Sequence, residues 1–358
     1  MRRAHFRNLI KFLLFIGIGV AILGYVYVVQ NKAYQEDCLL KGIKPEDCSL
    51  LKKLYNDFVN SKIIYLILVN VLFFISNVSR AIRWQMMLKS IGIKARFRDS
   101  FNTIMLSYLV NLGLSRVGEF ARAAALARKE NLNFNKIMGT VILDRTIDVI
   151  SLGVVFIITI GVSSGHLISF IKRNNNLAEK INNFISDPKV WILTILLLSV
   201  SVLVLKSKRF TASALGSKVI KFIKEIIIGF KSIKNVEKPG LFIFHSVLIW
   251  FMYFLMNWAG FLAFNPTSGL GLVPAILVFT FGSLGILIPS PGGMGTYHFL
   301  VIEALKLFGV SGSDGFSYAN IMFFAVQIVG VIFFGIIALL MLNLSAKEIE
   351  DELQKQNI

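Results

Sequence analysis

An all-α, polytopic integral membrane fold is predicted by three features of this 358-residue chain. Its residues are 55% hydrophobic and only 16% charged, against about 45–50% and about 25% in soluble domains. Mean hydropathy is +0.70. The apolar residues gather into long runs with almost no charge: Phe12 to Val29, Ile63 to Val78, Trp191 to Leu205, Leu241 to Phe264 and Ile321 to Leu342. A helix needs about 20 such residues to cross the hydrocarbon core, and shorter runs manage with flanking anchors. So many runs cannot all be buried in one soluble core.

The elements follow in order. Leu9 to Val29 comes after Arg2, Arg3, Arg7 and Lys11, as a signal peptide would. It is too long for an h-region and no small-x-small cleavage site follows, so it reads as a retained first helix. Cys38 and Cys48 lie in the next polar segment; outside the cell they could pair, and otherwise they are small residues. Orientation follows from the basic segments. The N-terminal tail has four basic residues and no acid; Arg80 to Arg98 has six and no acid; Lys206 to Lys238 has nine against Glu225 and Glu237. All three are expected in the cytoplasm, so helix one (9–29) and helix two (62–79) run in to out to in.

Phe101 to Leu114 and Ala121 to Arg128 are each too short to span, and Gly113 to Glu119 interrupts them. A re-entrant hairpin from the cytoplasmic side reconciles length with charge, and such a bend must be buried in protein or line a wet cavity. Ile137 to Val162 leads out, Ser163 to Lys189 reads as a polar loop, and 190–205 returns. In the basic stretch, Val219, Phe222, Ile223, Ile226 and Phe230 make an amphipathic helix on the inner leaflet. Residues 241–264 lead out again. Leu272 to Ile288 then runs into Pro289-Ser290-Pro291-Gly292-Gly293-Met294-Gly295, which cannot continue a helix. With Thr296 to Phe308 it forms a second re-entrant hairpin, from outside. A last span, 318–343, leads to a cytoplasmic tail.

The expected layout is thus about six full spans plus two re-entrant helical hairpins. It divides into a first membrane repeat (1–163), an external loop (164–189), a second membrane repeat (190–343) and a cytoplasmic tail (344–358). Each half reads helix, helix, hairpin, helix, with opposite orientation. The hairpin tips share a short register, Val117-Gly118-Glu119-Phe120 against Met294-Gly295-Thr296-Tyr297. An inverted repeat with broken elements in matching positions points to a transport pathway between the repeats.

The candidate site residues lie at those breaks. Arg116, Glu119 and Arg122 are three apart and share one side of a helix, with Gly118 allowing close backbone approach. Two guanidiniums beside a helix N-terminus can grip a phosphate; the competing reading is an interfacial helix end with snorkelling charges. Asp144, Arg145 and Asp148 put ionisable groups inside a membrane helix, where they face a partner or a cavity. Arg122 or Arg116 is the expected partner, either at a binding site or in a pair that docks the hairpin. The tip Pro291-Gly292-Gly293-Met294-Gly295 can present backbone amides to an anion. Beside it stand His298, read first as a structural group, and Glu303, which either serves the site or pairs with Lys306. Arg80, Arg83 and Trp84 read as an interfacial anchor.

Several classes are excluded. The net charge of +18 suits anionic headgroups better than nucleic acid, since no basic module studded with aromatics is present. There is no phosphate-binding Walker sequence and no metal-ligand spacing among the four histidines. Neither a cofactor nor a metal is expected, and no enzymatic activity.

Taken together, Arg80-x-x-Arg83-Trp84, Gly113 to Phe120 with Arg122, Leu143-Asp144-Arg145 and Pro289 to Gly295 resemble the transmembrane region of lysylphosphatidylglycerol synthases, over roughly 10–343. This flippase-like domain also occurs alone. The resemblance implies movement of phospholipids or lipid-linked sugars between leaflets. In that family the first tip usually also reads Pro-Gly-Gly-x-Gly, whereas here Leu114-Ser115-Arg116 stands, and His298 occupies a place where an acidic residue usually follows the second tip. Both departures leave the substrate open. No aminoacyl-transferase domain is seen, so lysyl transfer is not carried over.

The expected function is translocation of an anionic lipid or lipid-linked intermediate, its headgroup held between the hairpin tips, in the cell membrane with both termini cytoplasmic. Expected partners are membrane lipids and an envelope-synthesis enzyme. The alternatives are an ion-coupled secondary transporter using Asp144, Asp148 and Glu303, and a non-transporting subunit of an envelope glycosyltransferase or synthase.

Overall fold

The computed structural model describes residues 2–40, 42–43, 48–173, 186–188, 191–192, 199 and 236–343. Most of the helix expected at 190–205, the amphipathic Val219 to Phe230 and the tail 344–358 lie outside the described residues. Among the described residues there is no β-strand.

Charge-free runs become helices because a backbone in hydrocarbon must satisfy its hydrogen bonds within its own segment. They are α1 (Arg2–Leu40), α2 (Leu50–Val59), α3 (Ile63–Ser90), α4 (Phe97–Gly113), α5 (Gly118–Lys129), α6 (Phe134–Arg173), α7 (Pro239–Ala263), α8 (Leu272–Leu287), α9 (Thr296–Lys306) and α10 (Gly312–Phe323). A π-helical stretch, Phe324–Val331, carries α10 onward, so that Gly312–Asn343 forms one long span. Helix α6 continues through Arg173, past the Ser163 boundary drawn from polarity.

Among the described residues, four helices are long and apolar enough to cross a membrane: Ile63–Ser90, Phe134–Gly165, Pro239–Ala263 and Gly312–Asn343. Each presents bulky apolar side chains outward, such as Ile63 and Ile64 on α3, Ile157 on α6, Val247 on α7 and Phe333 on the last span. A belt of this kind is lipid-facing surface.

In lipid there is no hydrophobic drive between helices, so small residues and polar pairs hold them. Helix α3 packs along α7, with the Ser79 hydroxyl 2.8 Å from His245 Nδ1. Helix α6 packs on α8, where the Thr159 and Thr280 hydroxyls lie 2.7 Å apart. Two helix pairs, α4 with α5 and α8 with α9, fold back as hairpins. Each crosses at a glycine: a Cβ on Gly118 would run into the Ser107 carbonyl oxygen, and one on Gly285 would lie 2.7 Å from Tyr297 Cα.

Helix α1 lies against α9, α10 and the second tip. Cys38 and Cys48 are both buried and not joined as a disulfide. The short α2 is tied to α10 through Lys53, whose Nζ lies 2.7 Å from Asp314 and 2.5 Å from Asp57.

Candidate functional site

The two hairpins meet at their tips. Arg116, in the turn between α4 and α5, donates from its guanidinium to the Leu287 carbonyl at 2.6 Å. Leu112 sits 3.1 Å from where a Cβ on Gly292 would lie. Arg116 has φ +67°, in the left-handed region that costs a side chain about 1–2 kcal/mol; such a residue marks a turn that its surroundings hold in place.

The second tip is closed by its own hydrogen bonds. Gly293 N–H donates to Ser290 O at 3.1 Å and Met294 N–H to Pro291 O at 2.9 Å. Gly295 N–H points to His298 Nδ1 at 3.4 Å, and the Thr296 hydroxyl donates to Gly285 O at 2.7 Å. Gly292, Gly293 and Gly295 all have positive φ. The amides of Gly293, Met294 and Gly295 are therefore used inside the turn, and the expected amide nest for an anion is not formed there. Only Gly292 of this tip faces the cavity described below. Pro291 packs on Gly19, and Gly295 leaves room for Ile22.

Behind the tips lies a buried charge cluster, built where α3, α5 and α6 converge. Asp144 is fully buried and accepts from three arginines: Arg83 through Nε at 3.1 Å, Arg122 at 2.9 Å and Arg80 at 3.3 Å. Asp148 pairs with Arg80 at 2.6 Å and with Arg83 at 2.8 Å. Arg122 lies over the Trp84 ring at 3.7 Å, which gives its flat face a partner, and Trp84 Nε1 donates to Thr140 at 2.9 Å. Arg80, Arg83 and Trp84 are 0–1% exposed. They are not an interfacial anchor, because their helix continues to Ser90 and places them beneath that end.

Arg145 stands between two carboxylates, 3.1 Å from Glu119 and 3.6 Å from Asp148. Glu119 is steadied by Asn111 Nδ2 at 3.4 Å, and the same Asn111 accepts from Gly118 N–H at 2.8 Å. Counting Arg116, five arginines face three carboxylates across this region, a surplus of two positive charges.

Next to the cluster opens a cavity of about 300 Å³ between the hairpins, α3, α6, α7 and the last span. Arg80, Arg116, Arg145 and Asp148 are its charged lining residues. Phe73, Tyr108, Trp250, Tyr253, Phe279, Tyr297 and Phe323 share the remaining wall with aliphatic side chains, and Asn257, Ser283 and Gln327 are polar points. Val326, Gln327 and Val331 reach it from the π-helical stretch, and such widened turns often occur at functional sites.

Of the residues singled out in sequence, Arg116, Arg145 and Gly292 line the cavity, while Glu119, Arg122 and Asp144 hold the cluster beside it. His298 is fully buried, packed on Phe323 with ring centres 5.0 Å apart. Glu303 pairs with Lys306 at 2.7 Å on a partly exposed surface and does not line the cavity. Sequence reasoning missed Arg80 and Arg83 as cluster members and the aromatic wall. The signal available was polar residues interrupting apolar runs, Asn257 and Gln327 among them. No group of side chains able to hold a metal occurs among the described residues.

Fold and site together define an all-α polytopic membrane protein with an arginine-bearing cavity between two helical hairpins. Residues 50–346 match the model of the lysylphosphatidylglycerol synthase TM region, and the chain belongs to that family. It is also similar to a UPF0104 membrane protein of Methanocaldococcus jannaschii, 24% identical over 276 residues, covering 74% of this chain and 80% of that one. No solved structure matches it.

Proposed function

We propose that the protein moves an anionic lipid or lipid-linked intermediate between membrane leaflets, acting as a transporter rather than an enzyme. The observation that carries this reading is the cavity, whose lining combines Arg80, Arg116, Arg145 and Asp148 with aromatic and aliphatic side chains. A lipid has the matching chemistry, a charged head on an apolar body.

The hairpins are read as re-entrant. Helix α4 has 17 residues and α5 has 12, roughly 25 and 18 Å at 1.5 Å per residue, short of the ~30 Å hydrocarbon core. Entering from opposite faces, they bring their tips together near the midplane. Support for an inverted repeat comes from α3 packing along α7, the second helices of the two halves, and from tip meeting tip. Transporters of that design bind substrate where the repeats meet. The basic segments orient both termini to the cytoplasm, and any covalent step on the lipid falls to an envelope-synthesis partner.

An ion-coupled small-solute transporter finds less support. Asp144 is committed to three arginines, and Glu303 is paired with Lys306 away from the cavity.

Leaflet exchange of a labelled anionic lipid in proteoliposomes tests the proposal. Arg116→Gln and Arg145→Gln each remove a cavity charge without emptying the Asp144 cluster. Rates are expected to fall about tenfold, the value of a charge-assisted hydrogen bond. Unchanged rates in both variants, or no exchange by wild type, would overturn it.

A further inference from the structure

We infer that the acidic segment Glu348 to Glu352 docks on a cluster of exposed basic side chains, Lys94, Arg96 and Arg98, at the start of α4. The contact is independent of the translocase reading. Three observations converge on it.

The first is positive charge left open. Lys94, Arg96 and Arg98 fall within five positions and are all exposed. Among the described residues none of the three is joined to a carboxylate by an ion pair, whereas nearby Lys89 is held by Glu237 at 2.7 Å. Asp99, next in sequence, is buried. Glu130 meets Arg96 at the backbone N–H, 3.2 Å away, which also ties the end of α5 to the start of α4. Three like charges this close repel one another and attract an anion.

The second is where the last span delivers the chain. A Cβ on Gly335 would lie 2.8 Å from Leu109 Cβ, and further along Arg98 Nη2 lies 3.4 Å from Met341 Sδ. The span therefore runs antiparallel to α4 and brings Asn343 to the basic cluster. Glu348 follows Met341 by seven positions, a reach of about 10 Å as helix and about 24 Å as extended chain. Either reach covers side chains that stand beside Met341.

The third is the charge of the segment itself. Glu348, Glu350, Asp351 and Glu352 put four acids into five positions of a chain whose net charge is +18. Anionic headgroups compete for the same cations, but a short tether holds the segment at an effective concentration of roughly millimolar. The docked segment neutralises the open end of the first hairpin, where α4 begins and α5 ends.

The test is a distance measurement between two nitroxides on the full chain in zwitterionic nanodiscs. The labels are placed at Asn135→Cys, an exposed position at the start of α6, and Gln354→Cys, with Cys38→Ala and Cys48→Ala. A narrow distance component is expected at low salt and is lost in molar salt. Arg96→Glu with Arg98→Glu is expected to abolish it, and adding Glu350→Lys, Asp351→Lys and Glu352→Lys to restore it. All these positions are exposed or outside the packed helices, and unchanged melting temperatures show that the variants fold. A broad distribution in wild type, or a narrow one that ignores the charge reversal, would overturn the inference. So would a distance between two copies carrying only the Gln354→Cys label, which assigns the contact to a second chain. Phosphatidylglycerol retained in native mass spectra by wild type and not by the reversed variant, with the distance broad in both, would give the cluster to lipid instead.

Discussion

At the scale of single residues, Arg116 joins two demands in one position. Its backbone is left-handed and its side chain lies in the cavity wall. Glycine relieves the strain and alanine does not. Arg116→Gly is therefore expected to be more stable than Arg116→Ala by about 1 kcal/mol, with anionic-lipid affinity lowered about tenfold in both. Thermal unfolding in detergent beside a binding titration checks the order. Asp144 is different in kind, because its charge holds three buried guanidiniums together. Asp144→Asn is expected to lower stability by about 3–5 kcal/mol, whereas Glu303→Gln, in a partly exposed pair, changes it by under about 1 kcal/mol. The importance of Asp144 was legible in sequence, since a carboxylate in an apolar run demands a partner. That its partners include Arg80 and Arg83 was not legible. They lie more than 60 positions away, 64 and 61, and only packing brings them together.

At the scale of elements, each hairpin depends on a glycine that lets its helices cross. Gly118→Ala places a methyl against the Ser107 carbonyl, and Gly285→Ala places one against the Tyr297 backbone. Neither neighbour is a flexible side-chain end, so each hairpin must splay, at roughly 1–3 kcal/mol. Gly153→Ala on α6 meets nothing within 4 Å and is expected to be neutral or slightly stabilising. Melting temperatures of the three variants make the comparison. The tie between α2 and α10 carries a pH signature. Burial pushes Lys53 down, but its bonds to Asp314 and Asp57 outweigh this and hold its pKa above the ordinary value. The contribution is fully present below the unfolded lysine value of about 10.4 and is lost as pH rises through the higher folded value. A melting series across that window is expected to show the loss in wild type and not in Lys53→Met. Both hairpins were readable as short apolar segments around glycine-rich breaks. The length of α3 was not, because Arg80 and Arg83 looked like the end of a helix that in fact buries them.

At the scale of the whole molecule, the described residues leave a surplus of positive charge beside a largely apolar cavity, and the tips of the two hairpins meet at it. Apolar runs made the membrane class evident from sequence. The cavity could not be seen there, since its wall is assembled from both halves of the chain. Family membership agrees with the fold class. Everything functional depends on the tips lying at depth. In a variant with Cys38→Ala and Cys48→Ala, a nitroxide placed at Ser115→Cys or Met294→Cys reports its depth by lipid-borne against aqueous relaxation agents. Both labels are expected near the bilayer midplane, shielded from an aqueous agent on either side except through the cavity. Labels that both relax as freely as those on an exposed loop would contradict the meeting of the tips within the membrane, and the translocation pathway with it.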